Sequence, residues 1–278
     1  MGRRRTLLPH DAGLVARMAV AAVITPLIVL IAVALIIAAA PLNVKIFVVI
    51  ACAVGIAGVV NERKRAYTGQ ELGPDAAPEV HAIVERLCLL ADLPKPKLVL
   101  ESERQPNSWI VGAGDYRLHL TQGLLDRLDK HELEAVIGHE LAHVANHDAA
   151  VMTVVGGPGA VLLGGGRRLM RSWGPQKAGA LVAIGIGWIA AFGTRALSRY
   201  REFAADAGSV ALTGSAAALA SALMKVSDGI GAIPARDLRA AAARDAFHFL
   251  PVGGDRTHPT LQARIARLER LERALQQR

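Results

Sequence analysis

An uninterrupted apolar segment at residues 18–40 limits the folds open to this chain more than any other feature. It contains no charged residue, and apart from Met18, Thr25 and Pro26 it consists only of Ala, Val, Ile and Leu. A helix needs about 20 such residues to cross a bilayer. A cleaved signal peptide would carry a shorter apolar stretch, and here a second uncharged segment comes next at 46–60. The sequence therefore predicts a retained membrane anchor.

The charges beside these two segments indicate how the anchor is oriented. Residues 3–5 are three arginines, and residues 61–65 read Asn-Glu-Arg-Lys-Arg, whereas the connection between the segments is nearly neutral. Basic residues next to short membrane segments favour the cytoplasmic side. We therefore expect a helical hairpin with both ends, and the chain beyond residue 65, in the cytoplasm.

The formal net charge of +8 could also indicate a nucleic-acid binder. The basic residues, however, flank the apolar segments, and aromatic residues make up only 4% of the chain, too few for a stacking surface. We interpret the charge as attraction to an anionic membrane face, so the expected partner is a lipid bilayer and not a nucleic acid. Cys52 and Cys88 form no CxxC pair, so neither a disulfide framework nor a thiolate metal site is predicted.

Residues beyond 65 have the composition of a folded domain. Hydrophobic spacing predicts helices at 78–90 and 130–144, a further helix or two within 198–226, and a charged amphipathic helix at 261–275. Asp129 and Glu132 have the spacing of a capping box at the start of the second of these helices. Short strands are predicted at 97–101, 108–111 and 116–121. The fold class expected from this pattern is mainly α with a small β-sheet.

Two further uncharged segments, 149–166 and 178–192, leave two interpretations open. If both cross the membrane, the basic residues between them, such as Arg167 and Arg171, lie outside the cell, against the positive-inside rule. If they do not, they pack on the domain or enter only the membrane interface. We favour membrane helices, although the sequence does not decide between the two.

The sequence His139-Glu140-Leu141-Ala142-His143 carries the chemistry. Residues four apart on a helix share one face, so the two imidazoles can bind one zinc ion. Glu140 lies beside them, where its carboxylate can activate a water molecule. This is the HExxH arrangement of zinc peptidases, although two histidines can also occur on a helix by chance.

A third ligand is expected from a second helix. The position six residues after the second histidine is Ala149, which rules out the three-histidine pattern of the metzincins. His147 lies one turn beyond His143, but a single straight helix gives poor tetrahedral geometry. Glu202 in Ser-Arg-Tyr-Arg-Glu-Phe-Ala-Ala-Asp fits better as the ligand. Asp206, one turn later, can then accept the second ring N–H of a histidine ligand.

The sequence resembles the HtpX-like membrane zinc metallopeptidases, relatives of the CAAX prenyl protease. The resemblance rests on residues 121–125, 132–148 and 198–206, and on His258-Pro259 with Arg264. It implies a gluzincin-like peptidase domain with one zinc ion per chain. It also implies that His258 or Arg264 stabilises the oxyanion of the reaction. Without the resemblance, His258 would be a loop residue and Arg264 a surface charge.

The resemblance also assigns Asn107 to substrate binding, on an extended segment whose edge would pair with the substrate backbone. A plain turn residue after Pro106 is the alternative for Asn107. One departure concerns the next two positions, where the family usually has phenylalanine and alanine and this chain has Ser108 and Trp109. We expect this departure to affect the shape of the substrate groove and not the chemistry.

Together these observations predict a basic segment with a two-helix anchor at 1–65 and a metallopeptidase domain at 66–278, interrupted by the apolar segments 149–166 and 178–192. The expected function is a multi-pass cell-membrane endopeptidase that hydrolyses misfolded or damaged membrane proteins on the cytoplasmic side. One alternative is a processing protease for a single peptide or prenylated partner. Another is a non-catalytic, zinc-containing membrane scaffold, which the intact Glu140 disfavours.

Overall fold

The structure is a computed structural model that describes residues 7–8, 11–66, 70–112, 114–171, 174, 177–231 and 259–277. Its described residues form two compact units that interleave along the chain. The sheet unit draws on residues 1–11, 69–149 and 198–278, and the apolar unit on residues 12–68 and 150–197. The domain boundary predicted after residue 65 stays a prediction.

Helices dominate both units, which confirms the predicted mainly α fold class with a small sheet. In the described part of the chain the helices are α1 (Ala12–Ala39), α2 (Leu42–Ala66), α3 (Pro78–Ala91), α4 (Gln122–Leu125), α5 (Lys130–Ala145), α6 (Asp148–Met170), α7 (Lys177–Thr213), α8 (Ala216–Gly231) and α9 (Leu261–Gln276). The strands are β1 (Gln70–Glu71), β2 (Lys97–Glu101), β3 (Ser108–Val111) and β4 (Arg117–Thr121).

The sheet unit contains one four-stranded sheet in the order β1-β2-β4-β3. Strand β4 pairs in parallel with β2 and antiparallel with β3, so β3 lies at the edge of the described sheet. Gly112 begins the turn between β3 and β4 with φ +115°, and a Cβ there would lie 2.2 Å from the Asp115 carbonyl oxygen. This turn therefore requires glycine.

Apolar side chains from the sheet and from α3, α5, α8 and α9 form the core of the sheet unit. Leu118, Leu120, Ile137, Leu219 and Leu268 belong to this core and have at most 1% of their surface exposed. The first turn of α5 is fixed as predicted. Asp129 accepts hydrogen bonds from the third residue of the helix, and the Glu132 carboxylate accepts one from the Asp129 amide. This cap and core position the histidine-bearing helix.

The apolar unit consists of helices with the length and composition of membrane spans. Within the described residues three helices meet both criteria, Ala12–Leu35, Asp148–Met170 and Lys177–Thr213, and Leu42–Gly58 is a shorter apolar helix. A Cβ at Gly165 would lie 1.7 Å from the Ala51 carbonyl oxygen, so α6 and α2 touch through their backbones. Small residues at such contacts are typical of helices packed in a bilayer.

The helical region expected within 198–226 is divided into two helices. Helix α7 ends at Thr213, and Gly214 comes next with φ +75°, a left-handed conformation that glycine adopts easily. Helix α8 begins two residues later. Residues 232–258, which follow α8, lie outside the described part of the chain.

Candidate metal centre

Helix α5 buries His139 of the HExxH sequence in the sheet unit and leaves His143 partly exposed. His139 is fully buried, and Glu140 has 4% of its surface exposed. The two Nε2 atoms of His139 and His143 are 3.1 Å apart, and their rings meet at an interplanar angle of 89°. Both imidazoles therefore aim a nitrogen at the same point.

Glu202 completes this cluster from α7. Its carboxylate oxygens lie 3.6 Å from His139 Nε2 and 3.7 Å from His143 Nε2. One ligand atom from each of the three residues lies within 4.8 Å of the others. Two imidazole nitrogens and one carboxylate oxygen are the donor set of a catalytic zinc site that keeps a fourth position open.

The electrostatics of the cluster also suit a cation. Burial disfavours the charged form of His139, but hydrogen bonds to Asp206 and Glu202 outweigh it and raise the pKa of His139 to about 9. The carboxylates around His139 therefore favour a positive charge at this position, which a divalent cation would also supply.

Asp206 and Arg264 support the His139 side of the cluster. Asp206 Oδ1 lies 3.0 Å from His139 Nδ1. The Arg264 guanidinium donates to both Asp206 oxygens, at 3.0 and 2.6 Å, and its Nη1 lies 3.7 Å from Glu202 Oε2. Arg264 is fully buried, so its interpretation as a surface charge is wrong. Its oxyanion role stays a prediction, and its shortest contacts in this structure are the two hydrogen bonds to Asp206.

Asp148 supports the His143 side, and the sequence interpretation missed it. Its Oδ2 lies 2.5 Å from His143 Nδ1 and 2.9 Å from Arg201 Nε. Helix α5 ends at Ala145, and His147 adopts φ +56°, which turns the chain so that the buried Asp148 faces His143. His147 is itself exposed and is not part of the cluster. The sequence carries no spacing signal for this contact, because Asp148 follows His143 by five residues, beyond the three or four that share a helix face.

Ser108, the first residue of β3, and Asn107, which directly precedes it, lie beside the cluster. Ser108 Oγ donates to Glu140 Oε1 at 2.8 Å. Asn107, which is 2% exposed, accepts from the Ser108 amide through Oδ1 at 2.9 Å. Burial raises the pKa of Glu140 above its usual value, against the opposing effects of His139, His143 and Ser108. A carboxyl group with a raised pKa is suited to exchange protons near neutral pH.

The structure thus brings together His139, Glu140, His143, Glu202 and Asp206, with Arg264 beside Asp206 and Asn107 just before β3. His258, the other candidate for the oxyanion, lies outside the described residues.

Comparisons with known proteins agree with this chemistry. The sequence model of peptidase family M48 matches residues 74–272. The Protease HtpX homolog of Moorella thermoacetica is 38% identical, over 99% of this chain and 99% of its own. Protease HtpX homolog 2 of Methanosarcina mazei is 38% identical, over 75% of this chain and 78% of its own. Protease HtpX homolog 1 of Streptomyces coelicolor is 38% identical, over 76% of each.

Among solved structures, the crystal structure of S. mikatae Ste24p is similar to this chain with a TM-score of 0.41 and 17% identity. The match covers 67% of this chain and 49% of that one, so this chain spans about half of its length.

Proposed function

The chain belongs to peptidase family M48 and is a metalloprotease, and we propose that it uses zinc to cleave misfolded or damaged membrane proteins on the cytoplasmic side of the cell membrane. The observation that carries the proposal is the buried cluster of His139, His143 and Glu202 with Glu140 beside it. A purely structural zinc site would have no use for a buried carboxylate at that position.

The proposed mechanism assigns one task to each group. When bound, zinc polarises the scissile carbonyl and lowers the pKa of the attacking water. Glu140 takes a proton from that water and delivers it to the leaving amine. Asp206 and Asp148 hold the ring nitrogens of the two histidines that face away from the metal, which fixes tautomer and ring orientation. Arg264 or His258 stabilises the oxyanion.

The edge of β3 is the proposed docking strand for the substrate. The Thr121 amide donates to the Asn107 carbonyl, so Asn107 and Thr121 form a hydrogen-bonded pair of the antiparallel ladder. Because such pairs alternate with pairs that are not hydrogen-bonded, the next pair, Ser108 and Leu120, is of the second kind. Backbone groups of Ser108 and Ile110 therefore point away from β4, towards the outer edge of the described sheet. Asn107 Oδ1 accepts from the Ser108 amide, so Ile110 offers both a donor and an acceptor. Backbone pairing of this kind suits extended, unfolded chains of varied sequence.

The proposed orientation rests on charge and on the start of α1. Tyr200 donates a hydrogen bond to Asp11, and the Leu7 amide donates to the Leu90 carbonyl, so the chain just before α1 packs on the sheet unit. The arginines at residues 3–5 precede this segment and favour the cytoplasm. The same side is therefore proposed for the metal centre.

The test is zinc-dependent cleavage of an unfolded protein by the full chain, purified in detergent with a chelator to prevent self-digestion. Adding zinc to the wild type should restore cleavage with about one ion bound per chain. Glu202→Ala should lose the ion and the activity, because two imidazoles alone hold zinc weakly. A wild type that binds zinc and cleaves nothing would favour the scaffold alternative, and one that binds no zinc would overturn the proposal.

Asp148→Asn should weaken zinc binding about 10- to 100-fold, because the partner of His143 Nδ1 loses its negative charge. Competition with a chromogenic chelator measures the affinity. Asp126→Asn is the control, since that carboxylate is outside the cluster and accepts from the exposed Gln122 side chain. Equal zinc affinity in Asp148→Asn and wild type would contradict the supporting role.

A further inference from the structure

Ser108 makes a contact that the proposed mechanism leaves unused. Its hydroxyl donates to Glu140 Oε1 at 2.8 Å, and both residues are buried, with 0% and 4% of their surface exposed. Among the described residues, Ser108 is the one side chain that donates a hydrogen bond to this carboxylate. A buried carboxylate oxygen is costly to leave without a donor, so the contact restricts the orientation of Glu140.

Ser108 is itself held firmly. In the sheet it lies opposite Leu120 of β4, and its amide donates to Asn107 Oδ1. The Asn107 amide in turn donates to Thr121 Oγ1 at 2.8 Å, and the same oxygen accepts from the Leu124 amide at the start of α4. Hydrogen bonds therefore fix the backbone of Ser108 and of the residue before it. A hydroxyl on such a support can hold a flexible glutamate side chain in one rotamer.

We propose that Ser108 is a positioning residue for the general base of this protease. Its hydroxyl occupies Oε1 of Glu140 and leaves Oε2 as the oxygen that exchanges the proton with the attacking water. The departure at residue 108 therefore concerns the chemistry as well as the groove. This inference rests on the proposed function, because it presupposes that Glu140 acts as a base.

The test compares three variants of the full chain in detergent. Ser108→Ala removes the hydroxyl, and Ser108→Thr keeps it on a residue that suits a strand. Ser209→Ala is the matched control, because Ser209 is also fully buried and donates to the Ala135 carbonyl of α5, away from Glu140. For each variant kcat, KM and bound zinc are measured on the same unfolded substrate.

Ser108→Ala should lower kcat about tenfold with KM within about twofold and zinc content unchanged, because substrate docking and the metal ligands are untouched. Ser108→Thr should recover most of kcat, and Ser209→Ala should keep it. A Ser108→Ala variant with the wild-type kcat would overturn the positioning role and leave the proposed function standing. So would a Ser108→Thr variant that binds zinc and stays as slow as Ser108→Ala.

A second measurement needs no substrate. In zinc-free protein, Ser108→Ala should lower the melting temperature when Glu140 is present and have a smaller effect in a Glu140→Ala background, because the hydrogen bond couples the two residues. Equal shifts in both backgrounds would show that no coupling exists and would overturn the inference. A wild type without zinc-dependent cleavage would instead overturn the proposed function, and the positioning role with it.

Discussion

Glu140→Gln is expected to reduce peptide-bond cleavage about 10²- to 10⁴-fold while leaving zinc bound at the wild-type level. Glutamine has nearly the shape of glutamate, and its side-chain oxygen can still accept from Ser108, so the fold and the metal ligands should be undisturbed. It cannot take a proton from water, however. Cleavage rates and metal content are measured on the same zinc-loaded samples.

The control for this variant is Glu134→Gln on the same helix. Glu134 forms an ion pair with the exposed Arg86, and such pairs contribute little to stability, so its activity should match the wild type. A Glu140→Gln protein that binds zinc and cleaves at the wild-type rate would remove Glu140 from the mechanism. Loss of zinc together with activity would point to a structural role instead.

Arg264→Met is expected to have the largest effect on stability. The guanidinium is fully buried, donates twice to Asp206 and lies 3.7 Å from Glu202. Methionine would leave two buried carboxylates without this cation, and breaking a buried pair in this way costs about 3–5 kcal/mol. A loss of that size should lower the apparent melting temperature of the zinc-free protein by about 10 °C.

Two further substitutions show whether burial causes this effect. Arg270→Met, on the exposed side of the same helix, should change the melting temperature little. Arg264→Lys keeps the charge but cannot reach both Asp206 oxygens, so it should fall between wild type and Arg264→Met. If Arg264→Met has the same melting temperature as the wild type, Arg264 does not stabilise the sheet unit.

Local patterns predicted the parts of the fold that depend on neighbouring residues. Asp129 and Glu132 stand three residues apart and form the expected capping box, and the strands expected at 97–101 and 108–111 have those bounds. Glu202 could be proposed from its spacing to Asp206, because both residues lie on one helix. The family resemblance is confirmed by the M48 match and the HtpX relatives.

Other contacts depend on where separate elements meet, and no spacing rule contains that information. Ser108 reaches Glu140 across 32 positions, and Arg264 reaches Asp206 across 58. An arginine on a charged amphipathic helix looks like a surface residue until the partner helix is placed. Strand β1 has only two residues, too few to produce a periodic pattern. Sequence therefore predicted which three residues, His139, His143 and Glu202, cluster together, and missed most of the contacts that support them.

The left-handed backbone at His147 has a consequence for length variation in this protein. Asp148 meets His143 only because α5 stops at Ala145 and the chain reverses over the next two residues. One residue inserted or deleted there would change the length of this turn and move Asp148 out of its place opposite His143. Positions 145–147 should therefore accept no insertion, deletion or tag.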